Sequence, residues 1–155
     1  QKFGAKDVFD LSWKNLLDAY SCTECGRCSA ACPANQTGKL LSPRKIMMST
    51  RDRLEAVGKN INANGGQFKD DGKLLLNDYI SVEELRACTT CNACVEECPV
   101  SISPLDIIIE LRRSLIMEDS NAPQEWNGMF SNIENNFAPW KFSPDDRDKW
   151  VEEMK

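Results

Sequence analysis

The chain has 155 residues, 41% of them hydrophobic and 28% charged, with a formal net charge of −5 and no histidine. The lack of histidine excludes Rieske-type iron-sulfur ligation, His-ligated haem or zinc, and catalysis by a histidine acid or base. Lysine and arginine are interspersed with acidic residues, which argues against a nucleic-acid partner. No apolar run approaches the roughly 18 residues that span a bilayer, so we expect this piece to be soluble.

The N-terminal segment is predicted to be a short helical lead-in. The chain begins with Gln1 and passes almost at once into a structured pattern, so we expect it to be a piece of a longer protein. A helix is indicated by apolar residues that recur at helical spacing, and Asp10 or Ser12 can cap it. We therefore predict a lead-in over residues 1–21 that delivers the chain to Cys22. Its apolar residues are Phe9, Trp13, Leu16, Leu17 and Tyr20.

Two copies of one cysteine pattern follow the lead-in and use all eight cysteines of the chain. Each copy reads Cys-x2-Cys-x2-Cys-x3-Cys-Pro. This is the bacterial ferredoxin signature, in which three thiolates bind one [4Fe-4S] cluster and the fourth binds the other cluster. Two [4Fe-4S] clusters imply electron transfer as the function. The predicted ligands of cluster I are Cys22, Cys25, Cys28 and Cys98, and those of cluster II are Cys88, Cys91, Cys94 and Cys32.

Three other interpretations of eight cysteines are weaker. A disulfide framework is typical of secreted chains that are shorter than about 100 residues. Structural zinc commonly uses paired Cys-x2-Cys knuckles, often with histidine, whereas here four cysteines fall within 11 residues, twice. The third interpretation, clusters that only stabilise the fold, stays open because ligand spacing does not reveal a reduction potential.

The region between the two cysteine patterns is predicted to hold a long helix, a loop and a short strand. Ser42 can cap a helix that has Pro43 in its first turn and runs to about Val57. Residues 58–72 have the composition of an exposed loop, and residues 73–80 are predicted to form a short strand or hairpin arm. The buried face of the helix is expected to contain Ile46, Met47, Thr50, Leu54 and Val57, with Arg51, Asp52, Arg53 and Glu55 pointing mostly outward.

The second half of the chain repeats the order of the first. Ser81 and Glu84 form a capping box ahead of the second cysteine pattern. Ser103-Pro104 then opens a helix after the second Cys-Pro, as Ser42-Pro43 does after the first. This repeated order predicts two cysteine loops that are related by a pseudo-twofold axis and braced by helices.

The tail, residues 119–155, is predicted to be helical. Pro123 can open one helix, and Ser143-Pro144 can open another that carries Trp150 and Met154. Two interpretations of its apolar residues stay open. Either they pack back on the helices after Ser42 and Ser103, or residues 139–154 form a seam to further domains. The first tail helix places Trp126, Met129, Phe130, Ile133 and Phe137 at helical spacing.

The chain resembles the α-helical ferredoxin domain, because the 55 residues between Cys32 and Cys88 are too many for the small βαββαβ ferredoxin. Beyond the cysteines it looks like the heterodisulfide reductase-related iron-sulfur oxidoreductases. That family includes the iron-sulfur subunits of glycolate oxidase and anaerobic glycerol-3-phosphate dehydrogenase. The resemblance implies a mainly α fold with an α-helical ferredoxin domain over residues 22–118 between helical extensions. It rests on Leu11–Ala19, Cys25–Cys28, Thr37–Arg44, Cys88–Val100 and parts of residues 133–150.

The same resemblance implies a role and partners. Family members transfer electrons within larger oxidoreductases, so the implied partners are a CCG-type cysteine-rich domain or subunit and a flavin, quinone or haem redox partner. Some similar members carry an N-terminal membrane domain. This implies a cytoplasmic location, at the inner face of the cytoplasmic membrane through such a parent protein. No substrate-converting site is expected in the chain itself, because the clusters take every cysteine and no other nucleophile, base or dinucleotide fingerprint is present.

Two positions depart from the pattern of the family. Ser103-Pro104 stands where related proteins often have Glu-His, and Arg86 stands where they often have an aromatic residue. Neither position is a predicted cluster ligand, so the electron-transfer interpretation is unaffected. The departures leave open the subfamily and any partner contact near the second cluster.

Overall fold

The computed structural model describes residues 2–141 and 143–154. Gln1, Phe142 and Lys155, which fall in the predicted lead-in and tail, lie outside the described residues. The described chain is helical, with one isolated β-bridge and no strand, which confirms the predicted mainly α fold. The chain divides into two compact units between Asp119 and Ser120. Its helices are α1 (Trp13–Ser21), α2 (Arg27–Ala30), α3 (Pro33–Gln36), α4 (Pro43–Ala63), α5 (Val82–Ala87), α6 (Ala93–Glu96), α7 (Pro104–Met117), α8 (Gln124–Asn136) and α9 (Lys149–Glu153).

Helix α1 is capped as the sequence predicts but turns its polar face inward. The Ser12 hydroxyl accepts a hydrogen bond from the Asn15 backbone N–H, and Asn15 Oδ1 accepts one from the Ser12 N–H. The buried residues of α1 are Asn15, Asp18 and Ala19. Asp18 faces the core because its carboxylate accepts a hydrogen bond of 3.3 Å from the backbone N–H of Ser103. The opposite face is exposed, and it consists of Trp13, Leu17 and Tyr20.

Residues 2–10 form a strap across the first unit. The Ala5 N–H donates to a carbonyl oxygen of α7 at 3.0 Å, and the Leu76 N–H donates to the Lys6 carbonyl oxygen at 2.9 Å. Gly4 has a left-handed backbone with φ of 68°, and a Cβ at this position would collide with the backbone of α7. The strap therefore bonds to α7 on one side and to the segment after the long loop on the other.

Helix α4 runs to Ala63, beyond the predicted end near Val57. The additional turns are held by Asn60, which contacts the backbone of Lys69 twice. Asn60 Nδ2 donates to the Lys69 carbonyl oxygen at 2.8 Å, and Asn60 Oδ1 accepts from the Lys69 N–H at 2.9 Å. This two-point contact fastens the returning loop to the last turns, an interaction that composition alone does not reveal.

The sequence predicts that Arg53 points mostly outward, and this prediction is wrong because Arg53 is fully buried. Its Nε and Nη2 lie 2.9 Å and 2.7 Å from the Asp7 carboxylate oxygens, and its Nη1 lies 2.6 Å from Asp71 Oδ2. Nη2 also donates to the Lys73 carbonyl oxygen at 2.6 Å. Two carboxylates and a carbonyl offset the cost of burying the guanidinium charge. The network ties α4 to the strap and to the loop that follows the helix.

The strand predicted over residues 73–80 does not form, and an irregular turn takes its place at Leu75–Tyr79, with non-helical backbone angles at Leu76 and Asn77. Asn77 has a left-handed φ of 80°, and the Asp78 carboxylate accepts a hydrogen bond of 2.7 Å from the Leu74 N–H. The turn buries Leu75, Leu76 and Ile80 together. A strand with alternating faces does not bury two consecutive leucines on one side, which explains the missing alternation in the sequence.

The remaining predicted caps of the first unit are confirmed. Ser42 and Ser103 cap α4 and α7, and Ser81 forms the reciprocal capping box of α5 with Glu84. Helix α4 packs against α1 and α7, and α5 packs against α7. The core of the unit includes Ala5, Val8, Ile46, Met47, Val57, Leu75, Leu76, Ile80, Leu85, Ile107, Ile108, Leu111 and Leu115.

The second unit contains α8 and α9. Pro123 precedes α8 directly, as predicted, and Phe137 caps its C-terminal end in a left-handed conformation. The sequence predicts one helix from Ser143-Pro144 through Trp150, whereas the structure has a single 3-10 turn followed by the separate α9. Across both units, none of the described helices has the length and apolar character needed to cross a membrane.

Candidate iron-sulfur centre

The two cysteine loops have the same backbone conformation. Glu24 and Thr90, at equivalent positions of the two motifs, have φ of 59° and 56°. Gly26 and Asn92, also equivalent, have φ of 82° and 67°. Each loop then enters a single helical turn, α2 or α6, and these two turns contact each other. The matched left-handed residues agree with the pseudo-twofold arrangement that the repeated sequence predicts.

The first cysteine triad shares a cavity with a cysteine of the second motif. Cys22, Cys25 and Cys28 line this cavity together with Cys98 and Cys94. Cys98 thus lies beside the triad to which the sequence assigns it, although it belongs to the other motif. The rest of the wall includes Met47, Pro99, Val100, Ile102 and Pro104, which are apolar and limit access of water.

The electrostatics of Cys94 indicate which cysteines surround it. Burial, with a smaller contribution from the charges of Cys88, Cys28 and Cys32, raises the pKa of the Cys94 thiol to about 11. The charges of two cysteines of the first motif thus act on a cysteine of the second triad. Cys94 lies between the two predicted ligand sets, since it also lines the cavity of the first. A buried thiol of this kind ionises when a metal compensates its charge.

Each loop presents one exposed cysteine at the same position of its motif. Cys25 and Cys91 are exposed, whereas Cys32 and Cys94 are buried. A hydrogen bond from the backbone of Ala93 lowers the pKa of Cys91. The exposed cysteines bring one corner of each site to the surface, and the buried cysteines lie where the two loops meet.

Backbone N–H groups point at two cysteine sulfurs of the second motif. The Thr90 N–H lies 3.4 Å from Cys88 Sγ, and the Ile102 N–H lies 3.3 Å from Cys98 Sγ. In a loaded site such hydrogen bonds favour the more negative, reduced form of a cluster.

The donor set fits [4Fe-4S] clusters. All eight cysteines are free thiols, and thiolate is the ligand that these clusters take. Within residues 2–141 and 143–154, no three His, Cys, Asp or Glu side chains converge closely enough to hold one metal ion. A cube takes one thiolate at each of four separate irons, so its ligands surround a space and need not converge on a point.

The helix before each cysteine motif contacts the start of the long helix that follows the other motif. Asp18, four residues before the first motif, accepts a hydrogen bond from the Ser103 N–H at the start of α7. Glu84, four residues before the second motif, binds Lys45 Nζ at 2.7 Å at the start of α4. Against the effect of burial, Lys45 and Ser81 lower the pKa of Glu84. These crossed contacts let each half position the helix that follows the other Cys-Pro.

Several arginines lie near the cysteines. Arg27 and Arg44 line the cavity of the first triad. Arg51, which the sequence predicts to point mostly outward, instead reaches the carbonyl oxygen of the first cysteine in the first motif. Arg112, which no sequence motif singles out, reaches the equivalent carbonyl in the second motif. The sequence does contain a signal for this pair of arginines. Arg51 and Arg112 are each the eighth residue after the proline of a Ser-Pro pair.

Comparisons with known proteins agree with this site. A family model described as a 4Fe-4S dicluster domain matches residues 21–102. The chain is 33% identical to the EtfAB:quinone oxidoreductase of Syntrophomonas wolfei, over 99% of the chain and 24% of that protein. It is 32% identical to a probable membrane-anchored ferredoxin of Chromohalobacter salexigens, over 97% of the chain and 24% of that protein. It is 35% identical to one subunit of a ferredoxin/F(420)H(2)-dependent CoB-CoM heterodisulfide reductase of Methanosarcina acetivorans, over 77% of the chain and 60% of that protein.

The chain spans about a quarter of the length of the first two of these relatives. The match to the dicluster domain confirms the prediction of two [4Fe-4S] clusters, and the relatives confirm the prediction of an electron-transfer component of an oxidoreductase. With its two matched cysteine loops, the chain belongs to the heterodisulfide reductase-related iron-sulfur oxidoreductases and carries their 4Fe-4S dicluster domain.

Proposed function

We propose that the chain relays single electrons between two redox partners through two clusters with crossed ligation. The observation that carries this proposal is the cavity in which a cysteine of the second motif lies with the first triad. In the proposed arrangement each motif completes the cluster of the other. Cluster I is held by Cys22, Cys25, Cys28 and Cys98, and cluster II is held by Cys88, Cys91, Cys94 and Cys32.

Crossed ligation makes one unit of the two loops. Because each motif supplies one ligand to the opposite cluster, both loops must be in place before either cluster is complete. The crossed contacts of Asp18 with Ser103 and of Glu84 with Lys45 support this arrangement, since they fix the two halves against each other.

The proposed electron path runs between the two exposed corners. Cys25 and Cys91 lie at the surface, and the buried Cys94 lies between the two ligand sets. When bound, a [4Fe-4S] cluster supplies a centre that gains or loses one electron without making or breaking a bond. The chain holds the thiolates, orients them through backbone N–H groups and excludes water from the buried corners. No proton is transferred, so no acid or base is required.

The proposed partners are a flavin, quinone or haem centre at one exposed corner and a CCG-type cysteine-rich domain or subunit at the other. Support comes from the names of relatives, one a quinone oxidoreductase and one a subunit of a heterodisulfide reductase. The formal charge of −5 becomes about −9 with two oxidised clusters and their eight thiolates. Partner surfaces with basic residues around their redox centre are therefore favoured.

We propose a cytoplasmic location, at the inner face of the cytoplasmic membrane through a larger parent protein. Support comes from the relative named as a membrane-anchored ferredoxin, of which this chain matches about a quarter. The described residues contribute no membrane-spanning helix of their own, so in this proposal the anchor belongs to another part of the parent.

Cysteine variants that are purified without oxygen test the crossed ligation. We expect the unaltered chain to contain about eight iron and eight sulfide, and each single variant Cys22→Ala or Cys88→Ala to keep about four of each. The double variant Cys22→Ala/Cys98→Ala removes two ligands of one cluster and should still keep about four iron. The matched double variant Cys88→Ala/Cys98→Ala damages both clusters and should keep almost none. The reverse pattern would show that Cys98 binds the cluster of its own motif, and zinc without sulfide would contradict iron-sulfur clusters altogether.

A further inference from the structure

We propose that Arg51 and Arg112 set the reduction potentials of the two clusters, one arginine for each cluster. The proposal rests on the two cysteine triads of the proposed function, and it does not depend on the crossing of Cys32 and Cys98. Neither arginine touches a sulfur, so both are positioning residues that act through the backbone of the ligands and through their charge.

Each arginine reaches the backbone carbonyl of the first cysteine in one motif. Arg51 Nη1 lies 3.5 Å from the Cys22 carbonyl oxygen, at the outer limit of a hydrogen bond. Arg112 Nη2 lies 2.5 Å from the Cys88 carbonyl oxygen, and its Nε lies 2.9 Å from the Leu85 carbonyl oxygen. The two side chains start from equivalent positions of α4 and α7. Because side chains at equivalent positions contact equivalent atoms, the two contacts are one repeated arrangement and not two unrelated surface contacts.

The carbonyls that the arginines reach stand at the ends of helices. Cys22 is the C-terminal cap of α1, and Cys88 is the C-terminal cap of α5. The last carbonyls of a helix have no partner within the helix and carry partial negative charge. A guanidinium at this place satisfies them and fixes the peptide that carries the first cluster ligand. It also brings a full positive charge to that ligand.

A positive charge beside a cluster favours the reduced form. The couple is one electron between the 2+ and 1+ states of the [4Fe-4S] core, which makes the cluster and its thiolates one unit more negative. Coulomb attraction to a fixed positive charge therefore raises the reduction potential. Both arginines are partly buried, so water and salt screen their charges less than those of exposed side chains.

The two arginines differ in how their charge is balanced. Arg51 forms an ion pair with Glu24, which lies between Cys22 and Cys25 in the first loop, and Glu24 raises the pKa of Arg51. The contacts of Arg112 in the described chain are to carbonyl oxygens. Glu24 thus offsets part of the charge beside cluster I, and this difference provides an internal test.

Redox titration with dithionite, followed by EPR, tests the proposal on Arg51→Gln and Arg112→Gln. We expect both variants to keep about eight iron and to show one cluster each at a lower potential. At a fixed solution potential the ratio of reduced to oxidised cluster should fall about tenfold, which is about 59 mV for a one-electron couple. The cluster shifted by Arg51→Gln should be the one that Cys22→Ala removes, and the cluster shifted by Arg112→Gln should be the one that Cys88→Ala removes.

Three further variants separate charge from structure. Glu24→Gln should shift cluster I in the opposite direction, and the double variant Glu24→Gln/Arg51→Gln should return it close to its original potential. Arg112→Lys keeps the charge and should leave the ratio within about twofold. Arg113→Gln is the matched control, because it removes an exposed charge from the neighbouring position of α7 and should shift neither cluster.

Unchanged potentials in Gln variants that retain their clusters would overturn the proposal, as would an equal shift in Arg113→Gln. If a Gln variant loses iron, Glu24→Gln and Arg112→Lys provide the test. The proposal would also be overturned if Glu24→Gln left the potential of cluster I unchanged and Arg112→Lys lowered the ratio of reduced to oxidised cluster tenfold. Failure of the proposed crossed ligation would be seen elsewhere. It would change how much iron the double cysteine variants retain, and it would leave these shifts in potential unaffected.

Discussion

Gly26 and Asn92 occupy the same left-handed position in the two cysteine loops. No atom lies within 4 Å of a Cβ added at Gly26, so the backbone angle and not a steric collision favours glycine there. Asparagine tolerates this angle, whereas a β-branched residue pays about 1–2 kcal/mol or more. We therefore expect Gly26→Asn to keep about eight iron and Gly26→Val to lose cluster I, as measured by iron content and EPR after purification without oxygen.

Gly72 provides the control for this prediction. It has a similar φ of 67° with open space around it, but it lies in the long loop away from both cysteine motifs. Gly72→Val introduces a similar backbone strain, so it should lower the melting temperature but keep all the bound iron. Loss of iron from Gly26→Asn would show that the first loop needs a glycine for close approach of the cluster and not for its backbone angle.

At the residue scale, the sequence predicts features that depend on neighbouring residues and misses contacts between residues that lie far apart in the chain. The cysteines are recognisable because all four cysteines of each motif lie within a short stretch of the sequence. Arg53 is not, since its partner Asp7 lies 46 residues away and the helical period alone assigns the arginine to the outer face. Burial of such a charge depends on two carboxylates that only the folded chain brings together.

Helix α1 shows the same limit at the scale of an element. Its existence and its cap follow from the spacing of apolar residues and from Ser12. Its orientation does not, because the hydrogen bond of Asp18 to the backbone of α7 and the capping role of Asn15 turn the polar face inward. Periodicity reveals that one face is apolar, and tertiary hydrogen bonds decide where that face points.

This orientation predicts that the apolar face of α1 contributes little to stability. Trp13 and Leu17 are 76% and 54% exposed, whereas Ala19 on the opposite face is fully buried. We expect Trp13→Gln/Leu17→Gln to change the free energy of unfolding by about 0.5 kcal/mol or less per site, or a few degrees in melting temperature. Ala19→Gln should overpack the core and cost about 1–3 kcal/mol. A large fall in melting temperature for the double variant alone would show that another surface covers this face.

At the scale of the whole molecule, the repeated order of cap, cysteines, Cys-Pro, Ser-Pro and helix carries the pseudo-twofold arrangement of the two loops. The resemblance to α-helical ferredoxin domains also implies a mainly α fold, but no sequence pattern predicts the strap of residues 2–10. Its backbone hydrogen bonds to α7 and to Leu76, and the contact of Asp7 with Arg53, join residues that lie far apart in the chain. The packing of chain ends is thus the part of this fold that pattern predicts least.

The two ends of the chain should differ in how much they contribute to the cluster domain. Every residue described as buried, and every cysteine, lies within residues 2–119. Deletion of residues 120–155 should therefore leave about eight iron bound and lower the temperature of cluster loss by only a few degrees. Deletion of residues 2–10 is the matched comparison, and it should destroy cluster binding because it leaves Arg53 without Asp7 and opens the core at Ala5 and Val8. Loss of iron after removal of the tail, or a fall of roughly 10 °C, would show instead that the apolar residues of α8 and α9 belong to the core of the cluster domain.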